Sequence, residues 1–231
     1  LLAADYSQIE LRVLAHFCGD EALCDAFAKD EDIHRRVAAE VYGVPADEVT
    51  SAQRRNAKAV NFGIIYGQSP WGLAQQLGID KTEAAEFIDA YFARYPRVED
   101  FLAKVLAECR TEGYVKTILG RRRAIHGVRS SVQRQRNLPE RTAINTVVQG
   151  SAADIIKLAM IHLHRSLQAE SIAAVMLLQI HDELIFEVAE NDLQRLADLV
   201  LRDMTNAIEL AVPLKVDLSA GDRWSMLEPL V

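Results

Sequence analysis

The chain has 231 residues, half of them hydrophobic, and a formal net charge of −7. That length supports a substantial core in one or two compact units, and no apolar run is long enough to span a membrane. With no signal peptide in view, a cytoplasmic protein is expected, and the acidic balance argues mildly against nucleic acid as a partner.

In chain order, Leu1–Asp5 reads as a strand and Ser7–Cys18, Glu21–Lys29 and Asp32–Tyr42 as helices. Gly43-Val44-Pro45 breaks the run, and Thr50-Ser51-Ala52-Gln53 is a capping box that opens a helix over Ser51–Tyr66. Helices over Ser69–Leu77, Lys81–Tyr95 and Val98–Thr111 follow, punctuated by Gly78 and Pro96. Tyr114–Leu119 and Arg121–Ile125 suggest a small hairpin around Gly120. Three helices are expected next, near Ser131–Arg136, Leu138–Val148 and Ala152–Ala169. Strands Ala174–Ile180 and Glu183–Val188 flank a tight turn at His181-Asp182, and a helix over Asp192–Ala207 precedes a last strand, Leu214–Leu218. Cys18, Cys24 and Cys109 lack paired metal-ligand spacing and read as reduced thiols in helix packing.

Three segments carry chemistry. Asp5-Tyr6-Ser7-Gln8-Ile9-Glu10-Leu11-Arg12 puts a carboxylate at the end of a strand that feeds a helix. Gln179-Ile180-His181-Asp182-Glu183-Leu184 puts another at a hairpin tip. Carboxylates gathered at strand ends repel unless cations lie between them, and two hard cations about 4 Å apart are the usual apparatus of phosphoryl transfer. Taken singly, Asp5 could equally cap the next helix and Asp182 be a plain turn residue. In the third segment, Arg54, Lys58, Phe62 and Tyr66 recur every fourth residue and share one broad helix face. Cations near a helix N-terminus oppose the macrodipole, so they point to an anionic ligand such as a triphosphate, with a base stacking near the two aromatics. Arg110, Lys116, Arg121, Arg122, Arg123, Arg129, Arg134, Arg136 and Arg141 crowd a stretch whose acids are Glu112 and Glu140. Such a patch can take phosphate backbone or be a solvated basic face.

In this order and spacing the three segments resemble the motifs of family A DNA polymerases, the bacterial DNA polymerase I type. Arg141-Thr142-Ala143-Ile144-Asn145, running on to Gln149-Gly150-Ser151-Ala152-Ala153-Asp154, is a further match. The resemblance implies an α+β right hand, with a mostly helical fingers region and an antiparallel palm sheet backed by helices. Residues 1–31 and 114–231 would form the palm and 32–113 the fingers. It also implies that a thumb, part of the palm sheet and an exonuclease-like domain belong N-terminal to Leu1. The segment from Leu1 would then be weakly active or inactive alone.

The activity implied is template-directed DNA synthesis on primer-template DNA, from deoxynucleoside triphosphates and two Mg²⁺ ions, in replication and repair. Asp5 and Asp182 would hold the ions with the Tyr6 carbonyl, and Glu183 would be either a further ligand or a neighbour that tunes the site. Arg54 and Lys58 would grip the triphosphate, Lys58 also protonating the leaving group, with Gln8 and His34 at the phosphates. Glu10 would close the sugar pocket against ribonucleotides, bordered by Phe62 and Tyr66. Arg141, Asn145, Gln149 and His181 would face primer terminus and template. The setting would be a monomer at the nucleoid, away from membranes. Ala124-Ile125-His126-Gly127-Val128-Arg129 departs from the Leu-Pro-containing segment common in the family, which leaves that local path open. Rival readings are a phage-type RNA polymerase, which would lack Glu10 as a gate; a two-metal nuclease or phosphatase, which leaves the Arg54–Tyr66 face idle; and a nucleic-acid-binding module, which leaves the carboxylates idle.

Overall fold

The computed structural model describes residues 1–230. In chain order its elements are β1 (Leu2–Tyr6), α1 (Ile9–Cys18), α2 (Glu21–Ala28), α3 (Ile33–Tyr42), α4 (Ser51–Ile65), α5 (Pro70–Leu77), α6 (Lys81–Arg94), α7 (Pro96–Glu112), β2 (Tyr114–Lys116), β3 (Arg122–Ala124), α8 (Gln133–Ala169), β4 (Ala174–Ile180), β5 (Glu183–Val188), α9 (Leu193–Thr205), β6 (Val216–Ala220) and β7 (Glu228–Pro229). This is the expected α+β class. It forms two compact units, one of residues 1–12 and 152–231, the other of residues 13–151. The chain leaves the first unit within α1 and re-enters it within α8.

The first unit is built on a five-stranded sheet of order β4-β5-β1-β6-β7, antiparallel at every pairing. β1 is central and short, and its Leu2, Ala3, Ala4 and Tyr6 are buried while Asp5 is exposed. Period-2 geometry puts Leu2, Ala4 and Tyr6 on one face and Asp5 on the other. The Tyr6 hydroxyl donates to the Met204 carbonyl at the end of α9, 2.7 Å away. α9 is strongly amphipathic, burying Leu196, Ala197, Leu199, Val200 and Met204. Arg12, itself buried, donates to the carbonyls of Ser7 and Pro213 at 2.9 and 2.6 Å and so ties the turn after β1 to the segment leading into β6.

The second unit is helical apart from the β2–β3 hairpin. Its helices start where side chains satisfy the free amides of the first turn. Asp20, Asp32, Ser69 and Asp80 cap α2, α3, α5 and α6, and Thr50 with Gln53 forms the expected capping box on α4. α3 and α5 end on left-handed glycines, Gly43 and Gly78. A core of Val105, Cys109, Val115, Ile125, Val128, Ala143 and Val147 binds α7, the hairpin and the first half of α8. All three cysteines are free thiols, with Cys109 buried in that core.

One expectation is corrected. The three helices expected between residues 131 and 169 are a single α-helix of 37 residues, Gln133–Ala169, with Pro139 inside it. Pro139 deletes one amide hydrogen bond but lies in the second turn, where ion pairing of Arg136 with Glu140 and packing of the proline ring against Gly127 hold the register. Gly150 is not a break either. A Cβ there would lie 2.7 Å from Thr117 Cγ2, so the glycine lets the hairpin loop approach the helix. Four short elements also go beyond expectation: β7 and 3₁₀ turns at Ala46–Glu48, Glu190–Asp192 and Trp224–Met226. Among the described residues no helix is long and apolar enough to cross a membrane.

Candidate active site

In the first unit, strand register gathers carboxylates. Asp5 is the direct cross-strand partner of Glu183 on β5 and of Asp217 on β6. Directly paired residues of antiparallel strands share a face, so three acidic side chains form a row across the sheet, a destabilising arrangement without a counter-charge. Asp182 follows at the β4–β5 turn, where its carbonyl accepts from the Tyr6 amide at 3.2 Å. The consequence falls on Asp5. Its partial burial, then the charges of Asp182, Glu183 and Asp217, push its pKa from 3.8 up to about 6.

Two turns beside this row are strained. Gln8, just after β1, and His181, beside Asp182, have φ of 55° and 54°. Left-handed backbone at a non-glycine residue costs roughly 1–2 kcal/mol, and such strain concentrates at working sites. Ser7 N–H donates to the Lys215 carbonyl at 2.9 Å, and Gln179 Nε2 donates to the His181 carbonyl at 3.2 Å, which fixes both turns. Glu10 sits in the first turn of α1, half-buried.

In the second unit, α4 buries Ala57, Val60, Asn61, Gly63, Ile64 and Ile65. That leaves Arg54, Lys58, Phe62 and Tyr66 on the opposite, accessible face, in the order the four-residue spacing implied. The rings of Phe62 and Tyr66 stack with centroids 6.1 Å apart and an interplanar angle of 26°. Arg54 Nε donates to Asp32 Oδ2 at 2.6 Å. His34 is buried, its Nδ1 2.9 Å from Asn61 Nδ2 and its ring 5.9 Å from that of Phe62. Burial, reinforced by Arg54 and Lys58, lowers the His34 pKa to about 4 against the opposing pull of Asp32.

On α8, Arg141, Asn145 and Gln149 follow one another at four-residue spacing as expected. Arg141 Nε donates to the Tyr66 carbonyl at 3.0 Å and packs on Gly67, so it also caps the end of α4. Asn145 Oδ1 is buried without a hydrogen-bond partner, and Gln149 is exposed. The basic stretch is in part architectural. Arg110 and Arg136 both pair with Glu140, Arg129 caps the carbonyls of Arg110 and Thr111 at the end of α7, and Arg122 lies over the Tyr114 ring.

Sequence reasoning missed three residues of these clusters. Asp217 is found only through strand register. Asp32 reads from the sequence as no more than a helix start, although its neighbour His34 is a candidate site residue. Asn61 was hidden in an apolar run, where a lone amide on a buried helix face was the available signal.

Comparisons with known proteins complete the description. The family described as DNA polymerase family A matches residues 1–226, and the chain belongs to that family. It is 49% identical over 225 residues to DNA polymerase I of Lactococcus lactis and 50% identical over 224 residues to that of Bacillus caldotenax. Each alignment takes in 97% of this chain and 26% of the relative, so the chain spans about a quarter of the length of the curated relatives it matches. Among solved structures it resembles the POL domain of Pol1 from M. smegmatis in complex with DNA primer-template and dNTP. That match has a TM-score of 0.93 at 45% identity and covers 96% of this chain and 39% of that one.

Proposed function

We propose that the chain carries the nucleotidyl-transfer centre of a template-directed DNA polymerase, adding deoxynucleotides to a primer 3′-hydroxyl with release of pyrophosphate. The observation that carries this reading is the carboxylate row Glu183–Asp5–Asp217 beside Asp182, in a chain of DNA polymerase family A.

The donors fit Mg²⁺. They are hard carboxylate and carbonyl oxygens, and the raised pKa of Asp5 marks a place where a cation relieves repulsion. Among the described residues no three His, Cys, Asp or Glu side chains form a metal cage by themselves. Mg²⁺ does not require one, since it rests on one or two carboxylates and completes its shell with water and substrate phosphates. Asp5 and Asp182 would hold two ions with the Tyr6 carbonyl, and Glu183 is available as a further ligand. Such ions, when bound, acidify the attacking hydroxyl and stabilise the leaving pyrophosphate.

The protein supplies position and charge, which is most of what phosphoryl transfer asks of it. Arg54 offers a planar fork to the triphosphate and Lys58 a point charge that also donates a proton to the leaving group. Gln8 and His34 add neutral polar contacts at the phosphates. Glu10 fills the space a ribose 2′-hydroxyl needs, and Phe62 and Tyr66 form the stacked wall beside the sugar and base. Arg141, Asn145, Gln149 and His181 meet primer terminus and template. In this reading residues 1–31 and 114–231 act as palm and 32–113 as fingers, in a monomer working at the nucleoid in replication and repair. The test is Mg²⁺-dependent primer extension with deoxy- and ribonucleotides supplied separately. Extension with deoxynucleotides supports the reading, preference for ribonucleotides favours an RNA polymerase, and DNA degradation without synthesis favours a nuclease.

A further inference from the structure

Asp32 uses its two oxygens for different purposes. Oδ1 caps α3, accepting from the amides of His34 and Arg35, both at 3.1 Å. Oδ2 accepts from Arg54 Nε on α4 at 2.6 Å. Burial works against this carboxylate, but Arg54 and the Arg35 amide hold its pKa below the usual value. One side chain therefore ties the first turn of α3, which carries His34, to the first turn of α4, which carries Arg54. Lys58 lies one helical turn further along α4, and with Arg54 it acts on His34 electrostatically.

The way Arg54 is held is the informative detail. A guanidinium paired through both terminal nitrogens has spent its fork. Arg54 is gripped from the side, through Nε, at a position where 40% of its side chain is still exposed. Among the described residues Asp32 is the partner found for this guanidinium, through Nε, so the two terminal nitrogens keep a fork that matches the bidentate geometry of a phosphate. Fixing Nε also removes rotamers that the long side chain would otherwise lose on binding, so the cost of ordering it is met before the ligand arrives.

Resting on the reading of Arg54 as a triphosphate grip, we propose that Asp32 is a positioning residue for nucleotide binding, holding Arg54 by Nε so that its fork and the His34 ring address the same anion. A purely structural tie between α3 and α4 would have the same contacts, so the test must separate the two.

Asp32→Asn does so, because asparagine caps a helix as well as aspartate does but offers no anion to Nε. The full chain as its gene encodes it is compared with Asp32→Asn, Arg54→Ala and the double variant, reading KM for a deoxynucleoside triphosphate, kcat and primer-template affinity. The expected result is a rise of about tenfold in KM for Asp32→Asn, with primer-template affinity unchanged and no further rise when it is added to Arg54→Ala. Effects that add in the double variant, or an unchanged KM in Asp32→Asn, overturn the proposal and leave the Arg54 assignment standing. An unchanged KM in Arg54→Ala overturns both. Should Asp32→Asn fold poorly, Arg54→Lys replaces it, since lysine keeps the charge but has neither Nε nor fork. It should raise KM as Arg54→Ala does, and a KM retained by lysine counts against the held fork.

Discussion

At the residue scale, Asp5 costs the ion-free fold stability that a cation would return. A folded-state pKa of about 6 against 3.8 means that the folded chain binds more protons than the unfolded chain between those values. Asp5 therefore favours the fold at low pH and loses that contribution as pH rises towards 6. Asp5→Asn, which mimics the protonated form, should stabilise the protein in chelator at pH 8. The gain is on the order of 1 kcal/mol once solvent screening of this half-exposed group is allowed for. It should shrink to nothing near pH 3.5, and Mg²⁺ should stabilise wild type more than the variant. Paired denaturation curves with and without Mg²⁺ check this, and equal stability at pH 8 would mean the carboxylate row is harmless. His34 runs the other way. Its pKa is lowered from 6.5 to about 4, so its contribution is present above 6.5 and fades as pH falls towards 4. With Asp5 silenced, the variant should lose stability steadily across that window on acidification. For sugar choice, Glu10→Ala should raise the kcat/KM for a ribonucleotide relative to its deoxynucleotide, and an unchanged ratio would remove Glu10 as the gate. Asp5, Asp182 and the α4 face were legible because each lies in a short, continuous pattern. Asp217 and Asp32 were not, because register and helix-to-helix contact are long-range facts that no local pattern records.

At the element scale, α8 shows why boundaries were the hardest part to read. Local rules treat Pro139 and Gly150 as breaks, yet tertiary contacts run the helix through both. Gly150→Ala puts two opposing effects against each other. Alanine improves helix propensity by about 1 kcal/mol, while a Cβ 2.7 Å from Thr117 Cγ2 forces the hairpin loop away, at about 1–3 kcal/mol. The expected outcome is net destabilisation in the wild-type background and stabilisation in Thr117→Ser, which removes the clashing methyl but keeps the hydroxyl that accepts from the Arg121 amide. Thermal unfolding of the wild type and the three variants reads this directly. The same sign in both backgrounds would show that the close approach is not what requires glycine. Helix starts, by contrast, were readable, because Thr50-Gln53, Asp20 and Ser69 cap amides two or three residues away.

At the scale of the whole molecule, a net charge of −7 coexists with the basic stretch from Arg110 to Arg141. If this stretch takes phosphate backbone, DNA affinity should fall steeply with added salt despite the acidic total, and charge removal at exposed Arg134 should flatten that slope by about one unit. Arg110, Arg129 and Arg136 have partners within the protein, so their removal should cost stability as well. The central claim is that the carboxylates around Asp5 and Asp182 run nucleotidyl transfer on a primer. Its most direct test is Mg²⁺-dependent primer extension by the full chain and by Asp182→Ala, with primer-template binding measured alongside. The expected result is deoxynucleotide extension by the wild type, abolished in the variant while DNA affinity stays within severalfold, because on the proposed reading the change removes a metal ligand and no backbone-phosphate contact. Near-normal extension by Asp182→Ala would contradict the account.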